Sequence, residues 1–262
     1  MAKTKQTKKR SSSTSDPVTR YALSVRAGQI VAGPLVRLAC ERHLRDLETG
    51  PARGLVWRLE LAMRAVGFFP KVLRLADGKF AGMPFDLSPF QAFIVGSLFG
   101  WHTTEGVRRF RTAYVETGKG SGKSPLAAGV GLYLLAADGE ASAEVYAAAT
   151  TREQAGILFR DAVRMVETSP ALARAIHRSG RNPVTNLAHL KSGSYFRPIS
   201  SEGKSLDGKR VHAALIDELH EHSSSIVVDK MRAGTKARRQ ALIFEITNSG
   251  FDRTSVLSLI HI

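Results

Sequence analysis

Disulfides, membrane spans and a secretory signal are all missing from this sequence. Cys40 is the single cysteine among 262 residues, so no disulfide can form within the chain, and a reducing compartment such as the cytosol fits this usage. The longest apolar runs, such as residues 126–137, fall short of the roughly 20 residues that cross a bilayer. The basic N-terminus leads into a Ser/Thr/Asp stretch instead of an apolar segment. We therefore expect no secretion and no membrane association.

Acidic residues are also scarce. The chain has 23 Asp and Glu against 38 Lys and Arg, which gives a formal net charge of +15. The first 20 residues hold six of the basic residues and one acid, so the remainder of the chain still carries +10. A basic tail alone would be weak evidence, because charge runs are usually solvated, whereas a basic body indicates a polyanionic partner. Nucleic acid is the expected polyanion, ahead of an anionic membrane surface.

The distribution of apolar residues divides the chain into four stretches. Residues 1–16 are rich in Lys, Ser and Thr without apolar periodicity, which predicts a disordered basic tail. Residues 17–107 follow helical spacing with a break at Gly50-Pro51, and they end in a Gly/Pro connector and a short apolar helix. Residues 108–257 alternate strand and helix patterns. The last five residues, 258–262, are interpreted as a truncated end and as a candidate for non-native sequence.

The alternation after residue 108 predicts an α/β fold, with a mainly parallel sheet wrapped by helices and ligands at the carboxyl ends of its strands. Residues 180–200 are less regular and predict a hairpin at an edge of the sheet. The predicted strands are Phe110–Val115, Glu144–Ala149, Ser194–Ile199, Val211–Ile216 and Leu242–Thr247. The predicted helices are Lys123–Ala136, Arg152–Thr168 and roughly Ser225–Arg232.

A glycine-rich loop between a predicted strand and a predicted helix has the composition of a phosphate-binding loop. Closely spaced glycines let successive backbone N–H groups turn toward an anion, and the helix N-terminus behind them adds positive dipole. In this motif the lysine reaches the β/γ-phosphates of ATP and the hydroxyl that follows it ligates Mg²⁺. The nucleotide-binding residues predicted on this basis are Gly118, Gly120, Ser121, Gly122, Lys123 and Ser124.

A second motif lies 94 residues further on, where an apolar run ends in Asp217 and Glu218. Two acids at the end of a buried strand are delivered to the edge of the sheet where the loop also lies. We expect Asp217 to hold the Mg²⁺ shell together with Ser124, and Glu218 to polarise the attacking water. Together the two motifs predict a P-loop NTPase with ATP and Mg²⁺ as ligands.

Each motif also has a simpler interpretation. The general P-loop pattern needs glycine at position 117, where this chain has Thr117, so the glycines alone could form a flexible loop. Asp217 and Glu218 could be a solvated strand end. His220 and His222 beside these acids could be read as a metal cluster, although no second cysteine or HExxH helix supports it. The basic stretch Lys230–Arg239 is compatible with a solvated face, a DNA contact or an arginine finger.

The order of segments resembles one family, the large terminase subunit of tailed bacteriophages. The resemblance covers most of residues 21–252 and rests on segments in both halves of the chain: ACERH at 39–43, LSPFQ at 87–91 with FGW at 99–101, GKSPLAA at 122–128, YAAATTREQA at 146–155, DELH at 217–220 and ITNSG at 246–250. That family commonly lacks the leading P-loop glycine, so Thr117 is no anomaly within it.

The resemblance implies roles for further residues. Gln91 lies in the segment that is similar to the family's adenine-contacting region. Lys119 takes the place of a basic residue, more often arginine, that faces the phosphates, so Lys119 is expected to act in catalysis beside Lys123 and Glu218. A bidentate arginine contact is then lost. Thr247 and Asn248 lie in the segment similar to the coupling motif, which senses the γ-phosphate.

The function implied by the resemblance is that of an ATPase motor domain that packages double-stranded DNA into a prohead in the host cell cytoplasm. The implied partners are double-stranded DNA, the small terminase subunit, the portal protein and further copies of the chain in a ring. The family's metal-dependent nuclease domain has no counterpart before Ile262, so we expect a fragment without nuclease activity. Two alternatives are a catalytically weak module that binds nucleic acid or a partner, and a P-loop helicase-like enzyme of another lineage.

Overall fold

A computed structural model describes residues 16–75, 78–200, 206, 208–222 and 224–248, and eight α-helices and nine β-strands lie within them. The helices are α1 (Pro17–Arg26), α2 (Pro34–Thr49), α3 (Leu59–Val72), α4 (Pro89–Gly100), α5 (Lys123–Ala136), α6 (Arg152–Thr168), α7 (Pro170–Ala175) and α8 (Ile226–Gly234). The strands are β1 (Leu55–Trp57), β2 (Trp101–Thr103), β3 (Thr112–Glu116), β4 (Glu144–Ala149), β5 (His177–Ser179), β6 (Asn186–His189), β7 (Ser194–Ser200), β8 (Val211–Ile216) and β9 (Leu242–Thr247).

Seven strands form one sheet in the order β3-β9-β8-β4-β7-β6-β5. The five from β3 to β7 are parallel to their neighbours, and β6 and β5 extend the sheet as antiparallel strands. Every residue of β8 and β9 is buried, as expected of central strands with helices on both faces. The predicted α/β class and the parallel core are confirmed, and the predicted edge hairpin is the pair β6 and β7.

Helix α5 lies between the sheet and the N-terminal helices and is buried all round. Its glycines permit this close packing: a Cβ at Gly129 would lie 2.4 Å from the Phe69 ring, and one at Gly131 would lie 2.5 Å from Leu215. Side chains of α3, α4, α5, α6 and the sheet belong to one hydrophobic cluster. The helical segment predicted for residues 17–107 and the α/β core therefore share a core, and the boundary at 107/108 remains a prediction.

The predicted elements agree with the structure to within a few residues. Helices α5 and α6 and strands β4, β8 and β9 have the predicted bounds, whereas β3 begins and ends later than predicted. The antiparallel pair of β1 and β2, strand β5 and helix α7 were not predicted, because segments of three to six residues carry too little periodicity. Asp16, predicted to end the tail, caps α1 by accepting hydrogen bonds from Val18 N and Thr19 N. The remainder of the predicted tail and residues 258–262 lie outside the described residues.

Buried and partly buried ion pairs join the segments at the amino ends of the parallel strands. Arg108, just before β3, pairs with Asp138 after α5, and His212 of β8 lies 2.8 Å from the second oxygen of that carboxylate. Burial works to raise the pKa of Asp138, but Arg108 and His212 outweigh it and hold this pKa below its ordinary value. Arg238 pairs with Glu140 at 2.9 Å. These contacts fix the edge of the sheet opposite the two predicted motifs.

A further buried carboxylate, Glu245 in the middle of β9, predicts a large effect on stability. Its side chain is fully buried and its Oε1 pairs with Arg232 of α8 at 2.9 Å. Arg232→Ala would leave the charge unpaired, so we expect the free energy of unfolding at pH 7 to fall by roughly 3 kcal/mol. Urea denaturation measures this loss. The matched control is Arg239→Ala, which removes an exposed pair with Glu105 at 3.7 Å and is expected to cost less than about 1 kcal/mol.

The loss should also depend on pH. Burial raises the pKa of Glu245 above its ordinary value, and Arg232 opposes the rise. A carboxyl group whose pKa is higher in the folded state than in the unfolded state lowers the free energy of unfolding once it ionises. This loss grows as pH rises through the unfolded-state pKa. We therefore expect the Arg232→Ala variant to lose less stability at pH 5 than at pH 7. An equal loss at both pH values would contradict the buried charge as its cause.

Candidate nucleotide-binding site

The two predicted motifs meet at the carboxyl ends of three neighbouring strands. Strand β9 lies between β3, which precedes the glycine loop, and β8, which precedes Asp217. The loop is joined to the end of β9 by a hydrogen bond of 3.1 Å from Thr117 N to Thr247 O. Because all three strands are parallel, Thr247 and Asn248 are delivered between the loop and the acids. This interleaving depends on strand order and is invisible in the sequence.

The glycine loop adopts a backbone conformation that glycine favours. Gly120 and Gly122 have φ values of +81° and +76°, in the left-handed region that favours glycine. Gly122 is the N-cap of α5, and its carbonyl accepts from Leu126 N at 3.1 Å. A Cβ at Gly118 or Gly120 would meet nothing within 4 Å, so space for an approaching ligand remains. The Ser121 hydroxyl is buried and has no hydrogen-bond partner among the described residues.

Lys123 is the first residue of α5 and is only 8% exposed. Its Nζ lies 2.9 Å from Glu218 Oε1 and donates to Asn248 Oδ1 at 3.1 Å. The structure thus brings together one residue from each of the three strand ends around a single ammonium group. Lys119 is exposed on the loop and forms no ion pair within the part of the chain that the structure describes.

Asp217 is buried at the end of β8 and is 7% exposed. Burial raises the pKa of its carboxyl group, and a hydrogen bond from the Ser124 side chain works in the opposite direction. Nearby Glu218 raises this pKa further. The hydroxyl and carboxylate predicted to share Mg²⁺ are therefore in contact, and both are oxygen donors of the kind that Mg²⁺ prefers.

Glu218 has a φ of +48°, which is unusual for a residue with a side chain. Its backbone N–H donates to Asp217 Oδ1 at 2.8 Å, which helps to hold this conformation. Its second carboxylate oxygen lies 3.4 Å from Asn248 Nδ2 and 3.3 Å from His220 Nδ1. Such conformations concentrate at functional sites, where the surrounding structure over-determines them.

His220 is a contributor to the site that sequence reasoning did not assign. Its backbone N–H donates to Thr247 Oγ1 at 3.1 Å, and its ring Nδ1 lies 3.0 Å from the same hydroxyl. The ring thereby links Glu218 to the end of β9. The metal-cluster interpretation receives no support: His222 Nε2 is directed at the Asp217 carbonyl oxygen at 3.2 Å, and no metal-binding group of three His, Cys, Asp or Glu occurs among the described residues. The one sequence signal that could have identified His220 as a site residue is its position two residues after Glu218.

Gln91 contacts the loop from α4. Its Oε1 accepts from Ser88 N at 3.0 Å and its Nε2 donates to Ser121 O at 3.3 Å. The capping contact orients the side chain and the second contact ties it to the glycine loop. An open apolar groove of about 600 Å³ lies alongside, lined by Phe90 and Ile94 of α4 and by Val115 and Thr117 around the end of β3.

Two arginines of the basic stretch Lys230–Arg239 form contacts within the fold. Arg232 is paired with buried Glu245, and Arg238 is paired with Glu140 and donates to the carbonyl oxygens of Ala141 and Ser142. These two arginines hold parts of the fold together. Within the described residues no helix is long and apolar enough to cross a bilayer.

A glycine loop that caps a buried helix, with a lysine, two acids and a polar strand end gathered around it, defines a P-loop NTPase. The sequence model of the family described as "Terminase large subunit, ATPase domain" matches residues 89–259. This chain belongs to that family.

Two relatives and one solved structure are similar to parts of this chain. The chain is 25% identical over 201 residues to the large subunit of the terminase of Enterobacteria phage HK97, covering 75% of this chain and 38% of the relative. It is 41% identical over 82 residues to protein YmfN of Escherichia coli (strain K12), covering 31% of this chain and 17% of that protein. The crystal structure of the HK97 large terminase has the same fold, with a TM-score of 0.64 at 22% identity, and the match covers 76% of this chain and 40% of that one. The chain thus spans about two fifths of the HK97 protein.

Proposed function

We propose that this chain is the motor domain of a DNA-packaging terminase, which hydrolyses ATP to translocate double-stranded DNA into a prohead. The observation that carries the proposal is the convergence of Lys123, Glu218 and Asn248 within hydrogen-bonding distance, beside a glycine loop where a Cβ at Gly118 or Gly120 would meet nothing within 4 Å. Strained backbone conformations such as that of Glu218 concentrate at functional sites, and a glycine loop leading into a helix N-terminus favours the binding of an anion.

ATP would compete with Glu218 and Asn248 for Lys123. The β/γ-phosphates carry more charge than one carboxylate, so they would draw the ammonium group into the glycine loop, where the N–H groups and the α5 dipole add to the attraction. Glu218 would then be released to orient the attacking water. Gln91 and the neighbouring apolar groove would hold the base, and Lys119 would face the phosphates.

Ser124 and Asp217 are the residues that would hold Mg²⁺, and their contact and oxygen chemistry fit that ion. When bound, Mg²⁺ would neutralise charge that develops between the β- and γ-phosphates. Thr247 would hold the His220 ring against Glu218, and Asn248 would bridge Lys123 and Glu218. Through these two residues the end of β9 would respond to whether the γ-phosphate is present, which is the coupling role predicted for them.

Double-stranded DNA is the proposed substrate of translocation, in the cytoplasm of an infected host, and the net charge of +15 supports contact with phosphates independent of base sequence. The small terminase subunit, the portal protein and a ring of copies of this chain are proposed partners. An arginine of the same chain or of a ring neighbour would stabilise the transition state, worth on the order of 10³ or more in rate.

Phosphate release by the purified chain tests the proposal. We expect Mg²⁺-dependent hydrolysis of ATP that increases when duplex DNA is added, because the motor couples the two. Omitting Mg²⁺ tests the dependence on the metal, and a Lys123→Ala variant purified in the same way is the control for contaminating activity. Binding of DNA without turnover would favour the alternative, a nucleic-acid-binding module that hydrolyses little ATP.

A further inference from the structure

One edge of the large sheet is built from a segment without acidic residues. Residues 170–200 form α7, β5, β6 and β7 and contain five basic residues but no Asp or Glu. All five are exposed: Arg174, Arg178, Arg181, Lys191 and Arg197. We call this segment the basic edge. The chain carries +15 over 262 residues, or about +1.8 in an average stretch of 31, so the +5 of this segment comes from its lack of acids.

The two faces of the basic edge differ. Phe196 and Leu187 are buried on the face that packs against α6, where Phe159 meets the Phe196 ring at 5.3 Å. The opposite face carries Arg197, Asn186 and Ser179, which are neighbours across β7, β6 and β5 and are joined by hydrogen bonds of 2.8 Å and 3.1 Å. This polar face is open to solvent at Arg197, with Arg181 in the β5–β6 connection and Lys191 in the β6–β7 connection.

Most of this charge is not neutralised by the residues that the structure describes. Arg178 pairs with Glu167 of α6 at 2.6 Å. Among the described residues, no carboxylate lies within ion-pair distance of Arg181, Lys191 or Arg197. Arg197 instead lies over the Tyr195 ring at 4.2 Å and donates to Asn186. Its guanidinium is therefore oriented by its neighbours but keeps its charge available to an external anion.

We propose that the open face of the basic edge binds the phosphate backbone of duplex DNA. This rests on the proposed function and adds the place of contact. Cations without acids between them match a continuous line of phosphates, and contact with phosphates alone does not depend on base sequence. Single-stranded nucleic acid would call for free aromatic faces on which bases stack, whereas the Tyr195 face is covered by Arg197.

The basic edge and the nucleotide site use different side chains. Strand β7, which carries Arg197, is two strands from β8 and its acids, on the order of 10 Å, and β6 is five strands from β3, on the order of 25 Å. Arg197 contacts Asn186 and Tyr195, which are not part of the nucleotide site. Changes on this face should therefore leave the basal hydrolysis of ATP unchanged. ATP hydrolysis and DNA binding can therefore be measured separately. A result that contradicts DNA binding at the basic edge would leave the proposed ATPase function standing.

The salt dependence of DNA binding tests this surface. We compare the triple variant Arg181→Gln, Lys191→Gln, Arg197→Gln with a control, Arg26→Gln, Lys71→Gln, Lys79→Gln, which removes three exposed charges from the N-terminal helical segment. Fluorescence anisotropy with a random-sequence duplex gives the slope of log affinity against log salt. Removing three phosphate contacts should make this slope shallower by about 2.7 in the test variant, and by less than about 1 in the control.

Two further variants test DNA binding at the basic edge independently of Arg197 and of the N-terminal tail. Arg181→Gln with Lys191→Gln leaves the Arg197 contacts intact, so it tests the surface even if the triple variant folds poorly, with an expected slope change of about 1.8. Deleting residues 1–15 removes five basic residues of the predicted tail and should preserve the effect of the triple variant. Equal slopes of log affinity against log salt in the test and control variants would contradict DNA binding at the basic edge, but not the proposed function. A parent chain that binds no duplex at any salt concentration would overturn the proposed function as well.

Discussion

Lys123→Ala is expected to abolish ATP hydrolysis, with kcat falling by at least roughly a hundredfold. Among the described residues, the other basic side chain within ion-pair distance of Glu218 is His220, whose ring cannot extend into the glycine loop as a lysine does. Binding of ATP should weaken too, because the loop then offers only backbone N–H groups and a helix dipole. Steady-state phosphate release and equilibrium binding of a fluorescent ATP analogue measure the two effects.

The control for this substitution is Lys71→Ala, which removes an exposed lysine of α3. Its turnover should equal that of the parent. Thermal denaturation should be used to check that the Lys123→Ala variant is folded, because Glu218 loses its ion-pair partner in this variant. Turnover within a few-fold of the parent in a folded Lys123→Ala variant would mean that the glycine segment is an ordinary loop.

Glu218→Gln is expected to keep ATP bound while turnover falls by on the order of 10²–10⁴. The amide has the shape of the carboxylate and can still contact Lys123, Asn248 and His220, but it cannot polarise water as a base does. The left-handed backbone of Glu218 is unchanged by this substitution, so a folding defect is not expected. Single-turnover hydrolysis separates the chemical step from binding.

Asp217→Asn is the matched comparison, since it makes the same carboxylate-to-amide change one residue earlier. We expect it to weaken the dependence of ATP binding on Mg²⁺, because the amide holds the ion less tightly than a carboxylate and leaves Ser124 as the remaining side-chain ligand. Titrating Mg²⁺ at fixed ATP gives the shift. If both variants lose binding to the same extent, the division of roles between Asp217 and Glu218 is wrong.

The parallel core and the two motifs could be predicted from sequence because their signals are local. Helices α5 and α6 have continuous patterns of 14 and 17 residues, and the acids follow an apolar run that can only be a buried strand. The left-handed conformations of Gly120 and Gly122 are also a local property, since glycine adopts them without strain. The likeness to terminases rested on the order of such segments, and the family comparison confirms it.

Contacts between distant segments could not be predicted in this way. The position of β9 between β3 and β8 places Asn248 beside Lys123, although 125 residues separate them along the chain. The roles of His220 as a link to Thr247 and of Arg232 as the partner of Glu245 depend on the same strand order. Likewise, the sequence shows that residues 170–200 lack acids, but only the pleat of β5, β6 and β7 places Arg197 on the open face and Arg178 against α6.

The sequence by itself thus determined the fold class, the glycine loop and the acids, because backbone preference and apolar periodicity act over a few residues. The tertiary structure decided which polar side chains meet and which charges stay exposed. Those outcomes depend on strand order and on the packing of helices against the sheet, where burial of apolar surface outweighs local preference. Residues far apart in the chain become neighbours only through that packing.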